Sequence, residues 1–279
     1  MSDHFAAFSF VDRITELEPG VRARGTFAVP EDLAAFPACL VAEAVGQLAA
    51  WVAMSEIDFR GRPVAALATE TIFHGDVAPG SRLELNVEIE ALDDEAVAYG
   101  GFARVDGAQA IELKHCLGPM LPVQEFDAPD ALRERFRLLC AAGAPAGRFR
   151  GVAAPELIAL EGSAGKSARA LLQVPRSAPF FADHFPRRPV FPATLLLDSQ
   201  IHLAMDLARA AIGSASGAVL VPQRMTHVKM RSFIEPGQAV ELGAEIAARS
   251  DIGGTIRLSA TIDGRRVATA RLDVAAREH

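Results

Sequence analysis

Cysteine is scarce: the 279 residues hold three, Cys39, Cys116 and Cys140. An odd count with no pair at metal-ligand spacing argues against a disulfide framework or a zinc site and points to a reducing compartment. Positive charge is also short. Lys and Arg total 28 against 35 Asp and Glu, a net charge of −7, which argues against a broad nucleic-acid footprint. The start, "MSDHFAAFSFVDR", has no basic segment leading into an apolar one, so a secretory signal is not expected and the cytoplasm is. A long hydrophobic run is missing too. The nearest approach, "ACLVAEAVGQLAAWVAM" at 38–54, is short for a bilayer and carries Glu43 and Gln47 inside it. Such a stretch reads as the buried central helix of a soluble domain, with no membrane partner.

What the chain does have is a pattern written twice. "FPACLVAEAVGQ" in the first half matches "FPATLLLDSQIH" in the second, pairing Pro37 with Pro192 and Glu43 with Asp198, each 155 residues apart. "FHGDVAPGSRLELNVEIEAL" matches "MRSFIEPGQAVELGAEIAAR", and "ARVDGAQAI" matches "ATIDGRRVA", now 157 residues apart. The ordered set of landmarks indicates a duplicated unit of about half the chain.

Each unit opens with a long apolar helix, at 38–54 and 193–213, followed by alternating strands. In "RLELNVEIEAL" the residues Leu83, Leu85, Val87 and Ile89 fall on one face. "VDG" and "IDG" read as hairpin turns, where Asp-Gly supplies positive φ. A long helix against an antiparallel sheet is an α+β arrangement. The expected division is a first unit at 1–124, a helical linker at 125–151 and a second unit at 152–279. Asp127 is placed to cap the linker helix, with Pro129 and Asp130 in its first turn.

The second unit contains "DHFPRRPVFPATLLLD", 183–198. Pro186, Pro189 and Pro192 each fix φ near −65°, which lowers the entropy cost of holding His184 in place. This stretch resembles the signature of the β-hydroxyacyl-acyl-carrier-protein dehydratases, the FabA/FabZ families: His-Phe-Pro-x-x-Pro-Val-x-Pro-Gly, an apolar run, then Glu or Asp. "FVDRITELEPG", 10–20, and "GDVAPGSRLELNVEI" resemble other parts of such proteins. The resemblance implies a hotdog fold, here a double hotdog with two long central helices each wrapped by a curved antiparallel sheet. It also implies sites between two hotdogs, each taking a histidine from one unit and an acid from the other. The implied substrate is a thioester on acyl-carrier protein or coenzyme A, with no cofactor and no metal.

That rule decides the pairing. Val29 stands 155 residues before His184, so the first half lacks the histidine while keeping Glu43 at the acid position and Gln47 one turn on. His184 with Glu43 makes a complete pair, and Val29 with Asp198 an incapable one. Asp198 is then the remnant of a second site, with His202 where the first half has Gln47. A neutral imidazole suits removal of an α-proton, and a carboxyl on an apolar helix suits protonation of the departing hydroxyl. The family's oxyanion donor, a backbone N–H at the start of the central helix, falls on Ala193, where the family has Gly. Pro192 supports that helix start. Arg187 and Arg188 offer a small basic patch for an acidic carrier. Three other functions remain open: a thioesterase, an enoyl-thioester hydratase, and a non-catalytic acyl-binding or scaffold subunit. The tandem already mimics a dimer, and further self-association is left open.

Overall fold

The computed structural model describes residues 7–145, 148–212 and 219–277; residue 213, expected to end the second long helix, lies outside them. The first half runs through β1 (Arg13–Glu18), β2 (Arg22–Ala28), α1 (Ala38–Glu56), β3 (Gly61–Pro63), β4 (Leu67–Phe73), β5 (Arg82–Leu92), β6 (Ala96–Val105) and β7 (Ala108–Pro122). A connecting helix, α2 (Pro129–Cys140), leads to β8 (Glu156–Leu160), β9 (Ser167–Gln173), α3 (Ala193–Ile212), β10 (Val219–Met230), β11 (Ala239–Ser250), β12 (Gly253–Ile262) and β13 (Arg265–Arg277).

The strands hydrogen-bond in the order β1-β2-β5-β6-β7-β4-β10-β13-β12-β11-β9-β8, with β3 paired to β7 beside this path. That order is a palindrome about the β4–β10 contact, where Arg224 faces Ile72, Thr226 faces Glu70 and Lys229 faces Leu67. α1 packs on β2, β5, β6 and β7, α3 on β9 through β13, and the two helices touch each other.

The residue pattern explains these elements. In β5, Leu83, Leu85 and Val87 are buried while Glu84 and Glu88 face outward, a two-residue alternation over one covered face. Both Asp-Gly turns carry positive φ at both residues, 51° and 80° at Asp106–Gly107 and 49° and 75° at Asp263–Gly264, the geometry of two-residue hairpins. α1 is apolar nearly all round because Leu48, Ala49, Val52 and Ala53 are all fully buried. By length and composition it is the one described helix able to cross a membrane, yet its burial between sheet and α3 accounts for its greasiness. Gly101 on β6 lets it lie that close: a Cβ there would meet the Asn86 carbonyl oxygen at 2.5 Å and the Val45 methyl at 2.7 Å.

The connecting helix departs from expectation at its start. Asp127 does not cap it; Ala128 holds the capping position without a side-chain bond, and the buried Asp127 carboxylate instead accepts a hydrogen bond from Arg62. A largely buried guanidinium competes more strongly for a carboxylate than an exposed helix end does. Leu132 and Leu139 of α2 are fully buried, and the helix contacts α1 and β1.

Asp12, just before β1, accepts the Ala28 N–H at 2.6 Å. Burial pushes its pKa up to about 6, opposed by that hydrogen bond and by Arg82. The folded state therefore holds a proton that the unfolded chain has already lost, and this group's contribution to stability falls as pH rises from about 4 to about 6. Asp12→Asn should stabilise the protein relative to wild type at pH 7.5 and lose that advantage at pH 4. Urea unfolding at both pH values measures the difference, and a pH-independent difference would contradict the assignment.

Candidate active site

His184 sits in a loop that closes on itself. Its backbone N–H donates to the Phe180 carbonyl at 2.9 Å, and the Val190 N–H donates back to the His184 carbonyl at 3.1 Å. The side chain completes the closure: Nδ1 lies 2.8 Å from the Val190 carbonyl oxygen. A carbonyl only accepts, so Nδ1 carries the proton and Nε2 keeps its lone pair. The ring stacks on Phe185 with centroids 4.0 Å apart and meets the edge of Phe8 at 5.6 Å. Burial lowers the imidazole's proton affinity; Glu43 and the Val190 carbonyl oppose this, and Arg62 adds to it. Desolvation disfavours the cation, so the ring is held neutral. Pro186 and Pro189 are exposed along this loop, while Pro192 is buried at the point where α3 begins; its carbonyl accepts the N–H groups of Leu195 and Leu196.

Glu43 comes from α1. The helix turns Val41, Ala44 and Val45 into the core and leaves Glu43 half-buried. Both carboxylate oxygens have donors. Gln47 Nε2 donates to Oε1 at 3.0 Å, and the Thr194 hydroxyl, from the first turn of α3, donates to Oε2 at 2.8 Å. Glu43 and His184 line one cavity of about 230 Å³, shared with Ala193, Thr194, Arg62 and Trp51. Ala193 is the first residue of α3. N–H groups in a helix's first turn have no intrahelical acceptor and sit at its positive end.

Asp198 is elsewhere. It is not among the residues lining that cavity. Its Oδ1 accepts from the Cys39 thiol at 2.9 Å, and Oδ2 lies 3.5 Å from His202 Nδ1. Cys39 precedes Thr194 by the same 155 residues that separate Glu43 from Asp198 and Gln47 from His202. The two carboxylates thus occupy matching settings on the two helices, each with a partner one turn along its own helix and another across on the facing one. Val29, the counterpart of His184, is buried in the core with its N–H bonded to Ser81. The imidazole near Asp198 is thus His202 of its own helix, and the position that matches His184 is hydrocarbon.

Arg187 and Arg188 lie on the outer side of the loop and are already engaged. Arg187 donates to the Gln124 carbonyl at 3.1 Å. Arg188 pairs with Glu125 at 2.8 Å and lies over the Phe233 ring at 4.7 Å. Several cavity residues carried no signal in the sequence. Arg62, from β3, covers the face of Phe185 at 4.2 Å, and Arg135 and Leu132 bring α2 to the cavity wall. Thr194 was findable from the 155-residue offset that pairs it with Cys39. No group of three or more His, Cys, Asp or Glu residues able to hold a metal occurs among the described residues.

Comparison with known proteins fits this frame. The ApeI-like family, described as ApeI dehydratase, matches residues 161–268, a span that includes His184 but not Glu43. The 3-hydroxyacyl-(acyl-carrier-protein) dehydratase FabZ of Albidiferax ferrireducens is 32% identical over 116 residues, covering 41% of this chain and 77% of that protein. FabZ of Clostridium botulinum is 31% identical over 110 residues, covering 39% and 74%. Among solved structures, a Lactobacillus plantarum protein assigned as an oleoyl thioesterase superposes with a TM-score of 0.60 at 11% identity, over 92% of this chain and 97% of that one. A 12:0-ACP thioesterase from Umbellularia californica gives 0.53 at 12% identity, over 92% and 94%. At such identities the structural likeness speaks to fold alone, and it defines a hotdog-type protein. Within that class, the sequence matches show that the chain belongs to the FabZ dehydratase family.

The hydrogen bond at Nδ1 makes a direct prediction. Nitrogen-15 NMR of the neutral imidazole, assigned by its loss in His184→Gln, should show Nδ1 protonated and Nε2 bare. A ring protonated mainly on Nε2 would leave that nitrogen unable to act as a base.

Proposed function

We propose that this protein removes water from 3-hydroxyacyl thioesters, with His184 as base and Glu43 as acid. The observation that carries this reading is the shared cavity: an imidazole with a free Nε2 from the second half and a carboxylate from the first. We further propose a double hotdog, with units at 1–124 and 152–279 joined by 125–151 and a long central helix in each. The working site is then assembled across the junction of the two units within one chain.

The chemistry follows from the groups present. His184 Nε2 takes a proton from the α-carbon, and the electron pair moves towards the thioester carbonyl. The Ala193 N–H at the start of α3 is the donor for the oxygen that gains charge; one such donor is typically worth roughly 3 kcal/mol of barrier. As the double bond forms, the C–O bond at the β-carbon breaks and protonated Glu43 gives its proton to the departing hydroxyl, so water leaves. The enzyme is left with an imidazolium and a carboxylate, and proton return to Glu43 restores it. Gln47 and Thr194 hold the carboxylate still once it is ionised, since an amide or hydroxyl can donate to it.

The FabZ relatives support a thioester substrate, carried on acyl-carrier protein or coenzyme A, and the free thiols Cys39, Cys116 and Cys140 suit a reducing cytoplasm. Arg187 and Arg188 are proposed to dock an acidic carrier with what charge Glu125 leaves them. Reversing both to Glu should weaken carrier binding in a calorimetric titration, and an unchanged affinity would remove them from that role.

The acid assignment has its own test. General acid–base groups contribute roughly 10²–10⁴-fold to rate. His184→Ala and Glu43→Gln should each lose activity on that scale with 3-hydroxyacyl-carrier substrates, while Asp198→Asn keeps turnover within about threefold. The reverse order for the two acids would overturn the pairing. Release of free acid in place of enoyl product would make the protein a thioesterase. Wild type that binds the carrier without turnover would make it a binding subunit.

A further inference from the structure

Residues 7–10 cross over the site, and their hydrogen bonds end on the immediate neighbours of both reacting groups. On one side is Asp183, next to His184 in the chain and only 8% exposed. Its Oδ2 accepts the Phe8 N–H at 2.9 Å, the Ala7 N–H at 3.2 Å and the Ser9 hydroxyl at 3.2 Å. On the other side is Gln47. Its Oε1 accepts the Phe10 N–H at 2.8 Å, and its Nε2 donates both to the Phe8 carbonyl at 3.0 Å and to Glu43 at 3.0 Å. Between these anchors the Phe8 ring, 2% exposed, presses its edge against the His184 imidazole.

We propose that residues 7–10 form a strap that holds the base and the acid in register, with Asp183 and Gln47 as its anchors and Phe8 as a positioning residue against the imidazole. The inference rests on the dehydratase reading for its kinetic consequences, though not for its structural ones. A buried carboxylate is costly without donors, and the strap supplies three to Asp183. Releasing the strap would strand that charge, so the segment is held firmly. Asp183 is followed directly by His184, so fixing one fixes the backbone of the other. Gln47 transmits the same constraint to Glu43 through a single amide. The strap comes from the first half and His184 from the second, so this contact and the Thr194–Glu43 hydrogen bond tie the two halves together at the point of reaction.

Phe8 has a second effect, because it keeps water from one edge of the imidazole. Burial is the largest influence holding the ring's proton affinity down, against Glu43 on α1 and with Arg62 on β3. Asp183 adjoins it in the loop, Arg187 and Arg188 lie on the loop's outer side, and Arg135 of α2 lines the same cavity. Opening the strap admits water, which favours the imidazolium.

The test uses the full chain. His184 is titrated by NMR, with its signal assigned through His184→Gln, in wild type, Phe8→Ala, Asp183→Ala and Asp183→Asn; kcat, KM and the acidic limb of the pH–rate profile are measured alongside. In Phe8→Ala, which leaves every charge in place, the His184 midpoint should rise and the acidic limb should move up with it; in both Phe8→Ala and Asp183→Ala kcat should fall at least tenfold with KM changed less than threefold. Asp183→Asn keeps an acceptor oxygen and should recover most of the wild-type behaviour. A midpoint unchanged in Phe8→Ala and kcat unchanged in both alanine variants would overturn the proposal. Should those variants not fold, hydrogen exchange in wild type decides: the Phe8 and Phe10 amides should be protected like those of α3, and open-chain exchange rates would overturn the strap. A His184 midpoint that moves in a protein without dehydratase turnover would keep the strap and discard the dehydratase reading.

Discussion

The antiparallel pairing of β4 with β10 is the constraint on which the remaining structure depends. It joins two runs of six strands into one sheet with palindromic order. Once those strands are neighbours, α1 and α3 are brought side by side. Only then can the Thr194 hydroxyl reach Glu43, and only then does a loop of the second half close over a cavity walled by the first. Main-chain hydrogen bonds at the junction thus set the distances at which the side chains meet. The ion pair of Arg224 with Glu70 runs across the same two strands, but it is largely exposed and adds little.

The two helices carry the same constellation with different atoms. Around Glu43 stand a hydroxyl and an amide, both good donors to a carboxylate. Around Asp198 stand a thiol and an imidazole, Cys39 and His202. The Cys39 thiol is fully within the protein, and burial drives its pKa well up, with Asp198 adding to the rise. A thiol so placed keeps its proton and serves as a weak donor, without the reactivity of a thiolate. Val29 completes the contrast by filling with hydrocarbon the position matching His184. The second location keeps the packing of the first without its histidine.

Much of this was legible in the residues because duplication supplies an internal comparison. The 155-residue offset exposed the missing histidine, and the apolar runs gave both long helices to within two residues at their described ends. The Asp-Gly turns and the alternation of β5 followed from local chemistry. What could not be read depends on partners far apart in sequence. Asp183 looked like a mere flank of the motif, because its donors lie more than 170 residues away. Asp127 carried a capping pattern, yet Arg62, 65 residues earlier, claims it. Local propensity sees neither competitor. Glu43 was placed correctly on its helix, but which way it faces depends on how α1 rolls against the sheet.

The connecting helix has a consequence for symmetry. Two identical subunits meeting about a twofold axis would present two equal grooves, and any change made in one would be made in the other. A covalent connector exists once. Here α2 lies along α1 and places Leu132 and Arg135 on the wall of the cavity that holds His184, and one helix cannot wall both grooves. The surroundings of Glu43 and Asp198 are therefore unequal, in a way that a symmetric pair of chains cannot be.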